Sequence, residues 1–234
     1  MRKLIVVTGG TKGIGRAILE KFAAAGFDIA TCARSRADLT QLKKDFESKF
    51  KIHVFEFVAD LSDKTQVKKF TDFINKLNKP VDVLVNNAGY FVPGQIMDEP
   101  DGTLEGMIAG NVYSAYYTTR GLVANMKASK AGHVFNMCSI ASMVAYPNGG
   151  SYAISKFALL GFSKVLREEL KEFGIRVTAV LPGATKTASW EGTNLPDSRF
   201  IKPEDVAEAV FSAHSLSTRS VVEEILIRPQ LGDI

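Results

Sequence analysis

A chain of 234 residues, 46% hydrophobic and 23% charged, can bury a sizeable core as one large domain and lacks the composition of a disordered, fibrous or disulfide-stapled protein. Its net charge of +4 comes from Lys and Arg scattered without a long basic run, which argues against a nucleic-acid partner and for a solvated surface mildly favourable to anionic ligands. The two cysteines, Cys32 and Cys138, sit in apolar runs and read as buried free thiols, and no stretch approaches the roughly 18 apolar residues of a membrane span, so a cytoplasmic protein is expected.

The opening MRKLIVVTGG has too short an apolar run for a leader and reads as a strand, LIVVTG (4–9), ending in a glycine loop. Ile14, Ile18, Phe22 and Ala25 then repeat at helical spacing, closed by Gly26. DIATCA (28–33) is the second strand, and Ser35 with Asp38 resembles a capping box ahead of the stripe Leu39, Leu42, Phe46. HVFEFVA (53–59) is followed by a helix through Val67, Phe70, Ile74 and Leu77, then by the strand VDVLV (81–85) and the loop NNAGYFVPG. A long helical region is expected over 101–129, a strand at HVFNMCS (133–139), and a helix through Tyr152 to about 173. IRVTAVLPG (175–183) is the sixth strand; a turn-rich stretch (184–202), a helix from near Pro203 and a strand VVEEILI (221–227) complete the chain. Strands apolar on both faces that alternate with helices predict a parallel sheet of about seven strands covered on both sides, a single-domain, doubly wound, Rossmann-like α/β fold spanning 1–234.

TGGTKGIG (8–15) joins strand to helix, and its glycines let backbone amides approach a pyrophosphate at the helix N-terminus; the bland alternative is a turn that needs positive φ. Between strand and helix, a dinucleotide is the better reading, held by Thr8, Gly9, Lys12, Gly13, Ile14 and Gly15. An NAD site places a carboxylate near the end of the second strand, but ATCARSR (30–36) has none and Asp28 lies at the wrong end. Arg34, joined by Lys12, would instead face a 2′-phosphate, which favours NADP(H) over a pair of merely solvated cations. Tyr152 and Lys156, four apart on a helix, point the same way; alone, the pair is either a proton-transfer site or ordinary helix packing.

Read together, the pieces resemble the classical short-chain dehydrogenases/reductases over essentially the whole chain: T-G-x-x-x-G-x-G at 8–15, Asp60 after the third strand, N-N-A-G at 86–89, Asn111, Ser139, Tyr152-x-x-x-Lys156, and Pro182-Gly183 followed by Thr185 and Thr187. The resemblance implies that Ser139, Tyr152 and Lys156 form the catalytic trio with Asn111 as a fourth member. It also implies that Asp60 and the adjoining Leu61 meet the adenine end, that Asn87, Ala88 and Gly89 line the ribose, and that Pro182, Gly183 and either Thr185 or Thr187 meet the nicotinamide. Cys138 stands where the family often has a second serine. The chemistry is coherent, since a carbonyl that becomes an alkoxide needs a proton donor, Ser139 would orient its oxygen, and a neighbouring Lys156 ammonium would lower the Tyr152 pKa. Asn111 would hold a water linking Lys156 to solvent.

The substrate pocket is expected from 90–92, Met143 to Tyr146 and 184–200, with Tyr90, Phe91, Met143, Tyr146 and Trp190 as candidates that either wall a planar carbonyl compound or pack the lid down. GATKTASW and the tail TRSVVEEILIRPQLGDI resemble the bacterial sepiapterin-reductase-like branch, which implies sepiapterin or a related diketone as substrate. A 3-oxoacyl-thioester reductase, docking its carrier protein on Arg120, Lys127 and Lys130, is the rival enzyme; a non-catalytic NADP(H)-binding regulator is the rival of another class. His53, His133 and His214 lack metal-ligand spacing, so no metal is expected. Leu159, Phe162, Leu166, Leu170 and Phe173 read as a core stripe. Ala153, Phe157, Leu160 and Gly161 opposite them read as a packing face for a homodimer or homotetramer through the two long helices.

Overall fold

The computed structural model describes residues 2–190 and 192–234. Seven strands, β1 (Leu4–Thr8), β2 (Asp28–Ala33), β3 (Val54–Val58), β4 (Val83–Asn86), β5 (Gly132–Met137), β6 (Ile175–Pro182) and β7 (Glu224–Ile227), form one parallel sheet in the order β3-β2-β1-β4-β5-β6-β7. The helices are α1 (Gly13–Ala24), α2 (Arg36–Phe50), α3 (Lys64–Asn75), α4 (Thr103–Ile108), α5 (Ser114–Ser129), α6 (Gly150–Leu170) and α7 (Pro203–Ser215).

The two-residue period of a strand sorts the core into two faces. On β1, Ile5 and Val7 face α1, α2 and α7, whereas Leu4 and Val6 face α3, α5 and α6. All four are fully buried, and side chains of this kind each stabilise the fold by about 1.5–3 kcal/mol through the surface they remove from water. The strand order reverses between β1 and β4, and ligands of such sheets bind in the crevice beyond the strand ends at that point.

Local signals largely hold. Ser35 caps α2 by accepting the Asp38 N–H at 3.2 Å, and Gly26 follows α1 with φ of +85°. The reciprocal half of the expected capping box is absent, because the Asp38 carboxylate turns to Lys12 Nζ at 3.2 Å. The helix expected over 101–129 begins at Thr103 and carries a π-helical turn at Ala109–Tyr113, which centres Asn111. The strand expected at 133–139 ends at Met137, since Cys138 N–H turns back to Asn136 O at 2.9 Å. The last strand starts at Glu224, not 221; next to it the Thr178 hydroxyl takes the Val222 carbonyl at 2.5 Å.

Two packing expectations on α6 and beyond do not hold at every residue. Ala153 and Leu160 are buried within this chain, leaving Phe157 and Gly161 exposed, and Phe173, expected in the core, is exposed beneath the Lys127 ammonium 3.9 Å from its ring centroid. Among the described residues no helix is long and apolar enough to cross a membrane.

Candidate active site

A cleft of about 470 Å³ opens at the C-terminal edge of the sheet and is lined by Ser139, Tyr152 and Lys156, among others. Ser139 leaves β5 and caps the short 3₁₀ turn Ile140–Ser142: its Oγ accepts the Ala141 N–H at 3.1 Å, while its own N–H donates to Ser142 Oγ at 3.2 Å. The Ser139 hydroxyl proton is left to donate, and the Tyr152 phenol is within its reach. Lys156 is 7% exposed, and its Nζ donates to Met137 O at 2.8 Å and stands 5.6 Å from the Tyr152 ring centroid. Phe91 meets the Tyr152 ring edge-on at 4.8 Å.

Asn111 is 1% exposed and wholly engaged. Its Oδ1 accepts Tyr90 N–H at 2.9 Å, and its Nδ2 donates to Tyr90 O at 3.1 Å and Ser155 Oγ at 2.9 Å. The π-turn thus ties the loop after β4 to α6, and π-turns often mark functional sites. The Asn111 side chain makes no direct bond to Lys156.

The electrostatics differ from the sequence expectation. Burial is the dominant influence on both partners: it pushes the half-buried Tyr152 phenol up, opposed by the Ser139 hydroxyl, and pulls Lys156 down to about 8. A lowering of Tyr152 by Lys156 is not seen: burial is the largest influence on the phenol, and the ammonium is turned toward Met137 O. Tyr146 is likewise raised, to about 12, by burial and then by Tyr152. Burial also raises the Cys138 thiol.

The glycine loop forms the other arm. Gly9 and Gly13 have φ of +68° and +54°, and a Cβ on Gly13 would press on Thr187 Cγ2 at 3.2 Å. A Cβ on Gly15 would lie 2.5 Å from both Asn87 Nδ2 and Gly9 O, so only glycine fits. No side chain caps the start of α1, which leaves its first N–H groups available to an anion. This uncapped, glycine-lined turn suits a dinucleotide pyrophosphate. Asn87, expected at a ribose, spends its Nδ2 on Thr8 O at 2.9 Å and Gly9 O at 3.0 Å, while Thr8 Oγ1 accepts the N–H groups of Asn87 and Ala88, each at 2.9 Å. These residues brace the loop.

Arg34 is exposed just past β2 and has no ion-pair partner among the described residues; Lys12, 74% exposed, pairs with Asp38. Asp28 sits at the far end of β2, bound to Lys79 Nζ at 2.6 Å. The Asp60 carboxylate accepts Ser62 N–H and hydroxyl at 3.0 and 2.7 Å, which with the nearby Arg34 holds it below its usual range despite partial burial. Leu61 is 7% exposed and packs into the core, so only its backbone can face a ligand. Pro182, Gly183, Thr185 and Thr187 all line the cleft. Thr185 is buried with its hydroxyl on Gly183 O at 3.0 Å, whereas Thr187 is half-buried beside Gly13.

On the substrate side, Tyr90, Phe91, Tyr146 and Trp190 line the cleft, and Tyr90 and Trp190 also pack structure. The Tyr90 ring lies where a Cβ on Gly110 would stand 2.5 Å away, and Trp190 meets Phe200 at 5.3 Å. Met143 is 47% exposed and not in the wall; Ile140 and Val144, from the same turn, take that place. Glu191, within the turn-rich stretch, lies outside the described residues. Sequence reasoning missed Asp233 and Ile234, which line the cleft because Arg228 clasps Asp233 and folds the tail back. It also missed a buried amide ladder: Asn86 Nδ2 donates to Thr119 Oγ1 and Asn136 Oδ1 at 2.9 and 2.8 Å, and Asn136 Nδ2 to Ser163 Oγ at 2.9 Å. A polar residue at an inward position of two adjacent strands, Asn86 and Asn136, was the available signal.

The short chain dehydrogenase family model matches residues 3–197. Sepiapterin reductase of Chlorobaculum tepidum is 31% identical over 242 residues, covering 100% of this chain and 99% of that protein. Among solved structures, an alcohol dehydrogenase from the archaeon Thermococcus sibiricus complexed with 5-hydroxy-NADP superimposes with a TM-score of 0.93 at 26% identity, covering 100% of this chain and 99% of that one. L-sorbose reductase from Gluconobacter frateurii, complexed with NADPH and L-sorbose, gives a TM-score of 0.88 at 29% identity, covering 97% and 95%. A parallel sheet with a glycine turn at its switch point and a buried lysine behind a tyrosine already defines a nucleotide-dependent class of α/β proteins. Within it, this chain belongs to the short-chain dehydrogenase family and is an oxidoreductase.

Proposed function

We propose that the chain reduces a ketone or related carbonyl of a small molecule to a secondary alcohol with NADP(H), residues 1–234 acting as one NADP(H)-binding domain. The observation that most supports this is the convergence of Ser139, Tyr152 and Lys156 on one cleft that Ile14 and Thr187 of the glycine-loop arm also line. Gly9, Gly13, Gly15 and the start of α1 would hold the pyrophosphate, Arg34 with Lys12 the 2′-phosphate, and Thr187 the nicotinamide end. When bound, the nicotinamide supplies the hydride. Ser139 donates a hydrogen bond to the carbonyl oxygen and fixes its direction. Tyr152, neutral because burial raises its pKa, gives the proton that the forming alkoxide requires. Lys156 restores the phenol, its charge held in reach by Met137 O.

The favoured substrate is a planar or vicinal dicarbonyl compound such as sepiapterin. The aromatic wall of Tyr90, Phe91, Tyr146 and Trp190 supports it, together with the likeness to the Chlorobaculum enzyme. Carrier-protein docking is less well supported: Arg120 is held by Tyr116 OH at 2.8 Å, and Lys127 and Lys130 lie at the end of α5 that leads into the start of β5, opposite the cleft. The intact trio counts against a non-catalytic regulator. Exposed Tyr113, Ile154, Phe157 and Val165 on and beside α5 and α6 support a homodimer or homotetramer through those helices, in the cytoplasm.

The test is NADPH oxidation by the purified protein against sepiapterin, a simple vicinal diketone and an acetoacetyl thioester, with NADH in parallel. Turnover of either of the first two, faster with NADPH, is expected; thioester turnover alone or preference for NADH would sink the respective part. Arg34→Ala should weaken NADPH binding by roughly 10- to 100-fold, the worth of one charge-assisted contact, and leave NADH within about twofold. Lys12→Ala should cost less, since Lys12 is exposed and already paired with Asp38.

A further inference from the structure

The helix that carries Tyr152 and Lys156 starts without a capping side chain of its own: Gly149 occupies its N-cap position, and no acidic residue lies in its first turn. A helix start leaves four N–H groups without partners along the helix. One of these is met from a distant segment. Glu99, between β4 and α4, accepts the Ser151 N–H on Oε1 at 3.0 Å and the Ser151 hydroxyl on Oε2. The fit around this carboxylate is close, since a Cβ on Gly150 would stand 2.1 Å from Glu99 Oε1 and one on Gly94 2.7 Å from Glu99 Cγ. Gly94 N–H also donates to Asn148 O at 3.1 Å, which laces the segment to the approach of α6. Ser151 is 3% exposed and Glu99 half-buried, so the bond is partly shielded from water.

One turn further on, Ser155 Oγ donates to Tyr152 O at 2.7 Å and accepts from Asn111. Tyr152 therefore occupies a turn pinned on both sides, by Glu99 through Ser151 and by Asn111 through Ser155. The same segment lays Phe91 against the Tyr152 ring. Glu99 does not line the cleft and touches no reacting group.

We propose that Glu99 is a positioning residue for Tyr152: it caps α6 from outside and holds segment 90–101 against the catalytic turn. This role rests on Tyr152 being the proton donor. It needs two polar atoms at the right reach, not a charge. Gln meets that need, accepting Ser151 N–H on Oε1 and donating Nε2–H to Ser151 Oγ. Asp is one methylene too short, and Ala takes away the carboxylate partner of the Ser151 N–H.

The experiment compares Glu99→Ala, Glu99→Gln and Glu99→Asp with the native chain, measuring kcat and KM on the best carbonyl substrate, the NADPH dissociation constant, and amide hydrogen exchange. Glu99→Ala and Glu99→Asp should lower kcat about tenfold or more, as misplacement of a reacting group by a fraction of an ångström does, with NADPH affinity within about twofold. Glu99→Gln should restore kcat to within about threefold with an unchanged pH profile. Exchange at the amides of 150–156 should quicken in Glu99→Ala and not in Glu99→Gln, while β1 and α1 stay protected. The exchange readout needs no turnover, so it separates failure of the cap from failure of the oxidoreductase reading. Unchanged exchange at 150–156 in Glu99→Ala overturns the cap; altered exchange with native kcat overturns its link to Tyr152; loss of NADPH affinity in step with kcat shows a general loosening and overturns positioning.

Discussion

Tyr152→Phe should reduce carbonyl turnover by roughly 10³-fold or more while NADPH binds as before, the loss expected when a positioned general acid is removed. The substitution deletes one oxygen and keeps the ring that Phe91 packs against at 4.8 Å, so the fold has no reason to change. Steady-state kinetics with a fluorescence titration of NADPH would check both halves. A variant that keeps a tenth of native turnover would remove Tyr152 from the mechanism. The pH profile supplies an independent handle. Lys156 is pulled down to about 8 by burial, so its ammonium is present below that value and lost above it. Reduction should therefore decline as pH rises through about 8, while the phenol, raised by burial, remains a neutral donor across the same range. Lys156→Ala should abolish that limb along with most of the activity.

The alternation of buried strands and amphipathic helices was legible because each strand is apolar on both faces and each helix on one stripe, and glycine and proline mark the boundaries. The glycine loop was legible for a similar reason: Gly15 stands where no Cβ fits, so the residue type itself records the packing. What could not be read was set by contacts distant in sequence. Asn87 braces Thr8 and Gly9 from more than seventy residues away while also lining the cleft, and nothing local to the N-N-A-G stretch says that its Nδ2 is spent on the loop. The sign of the Tyr152 shift escaped for a related reason. Spacing places a lysine beside a tyrosine, but only the fold shows that the lysine turns to Met137 O and that burial raises the phenol. Met143 and Val144 are adjacent residues in one turn, and which of them enters the cleft depends on the direction of a 3₁₀ turn that propensity does not specify. The cleft contribution of Asp233 and Ile234 depends on the clasp made by Arg228 after the last strand, a contact with no periodic signature.

Acidification should destabilise the fold well before the carboxylates titrate, through a buried histidine and a half-buried neighbour far from the cleft. His133 is fully buried on β5, its ring stacked on Phe135 at 3.9 Å and 5.8 Å from the ring of His214. The Thr178 hydroxyl gives its proton to Val222 O, so its oxygen accepts from His133 Nε2 at 2.8 Å; Nε2 therefore carries the hydrogen, and Nδ1 is bare and without a partner among the described residues. A second proton on Nδ1 would place a charge in apolar surroundings, facing the Arg176 guanidinium. His133 is accordingly pulled down to about 2, by burial first and then by Arg176 and His214; His214 is pulled to about 4 by burial, Arg176 and Lys3. A histidine held neutral in the folded state binds fewer protons than the unfolded chain, so its contribution is fully present above the unfolded pKa near 6.5 and is lost as pH falls below it. Between pH 7.5 and 5, His133 alone should cost about 2 kcal/mol, the slope approaching about 1.4 kcal/mol per pH unit once the unfolded histidine is mostly protonated. Asp28, held low by Lys79, contributes nothing in that window, because both its folded and unfolded forms are ionised there. Urea unfolding at pH 7.5, 6.5 and 5 should show this slope in the native chain and a shallower one in His133→Leu, whatever the variant's stability at pH 7.5. Equal slopes in the two proteins would show that His133 is not the group that the unfolded chain protonates first.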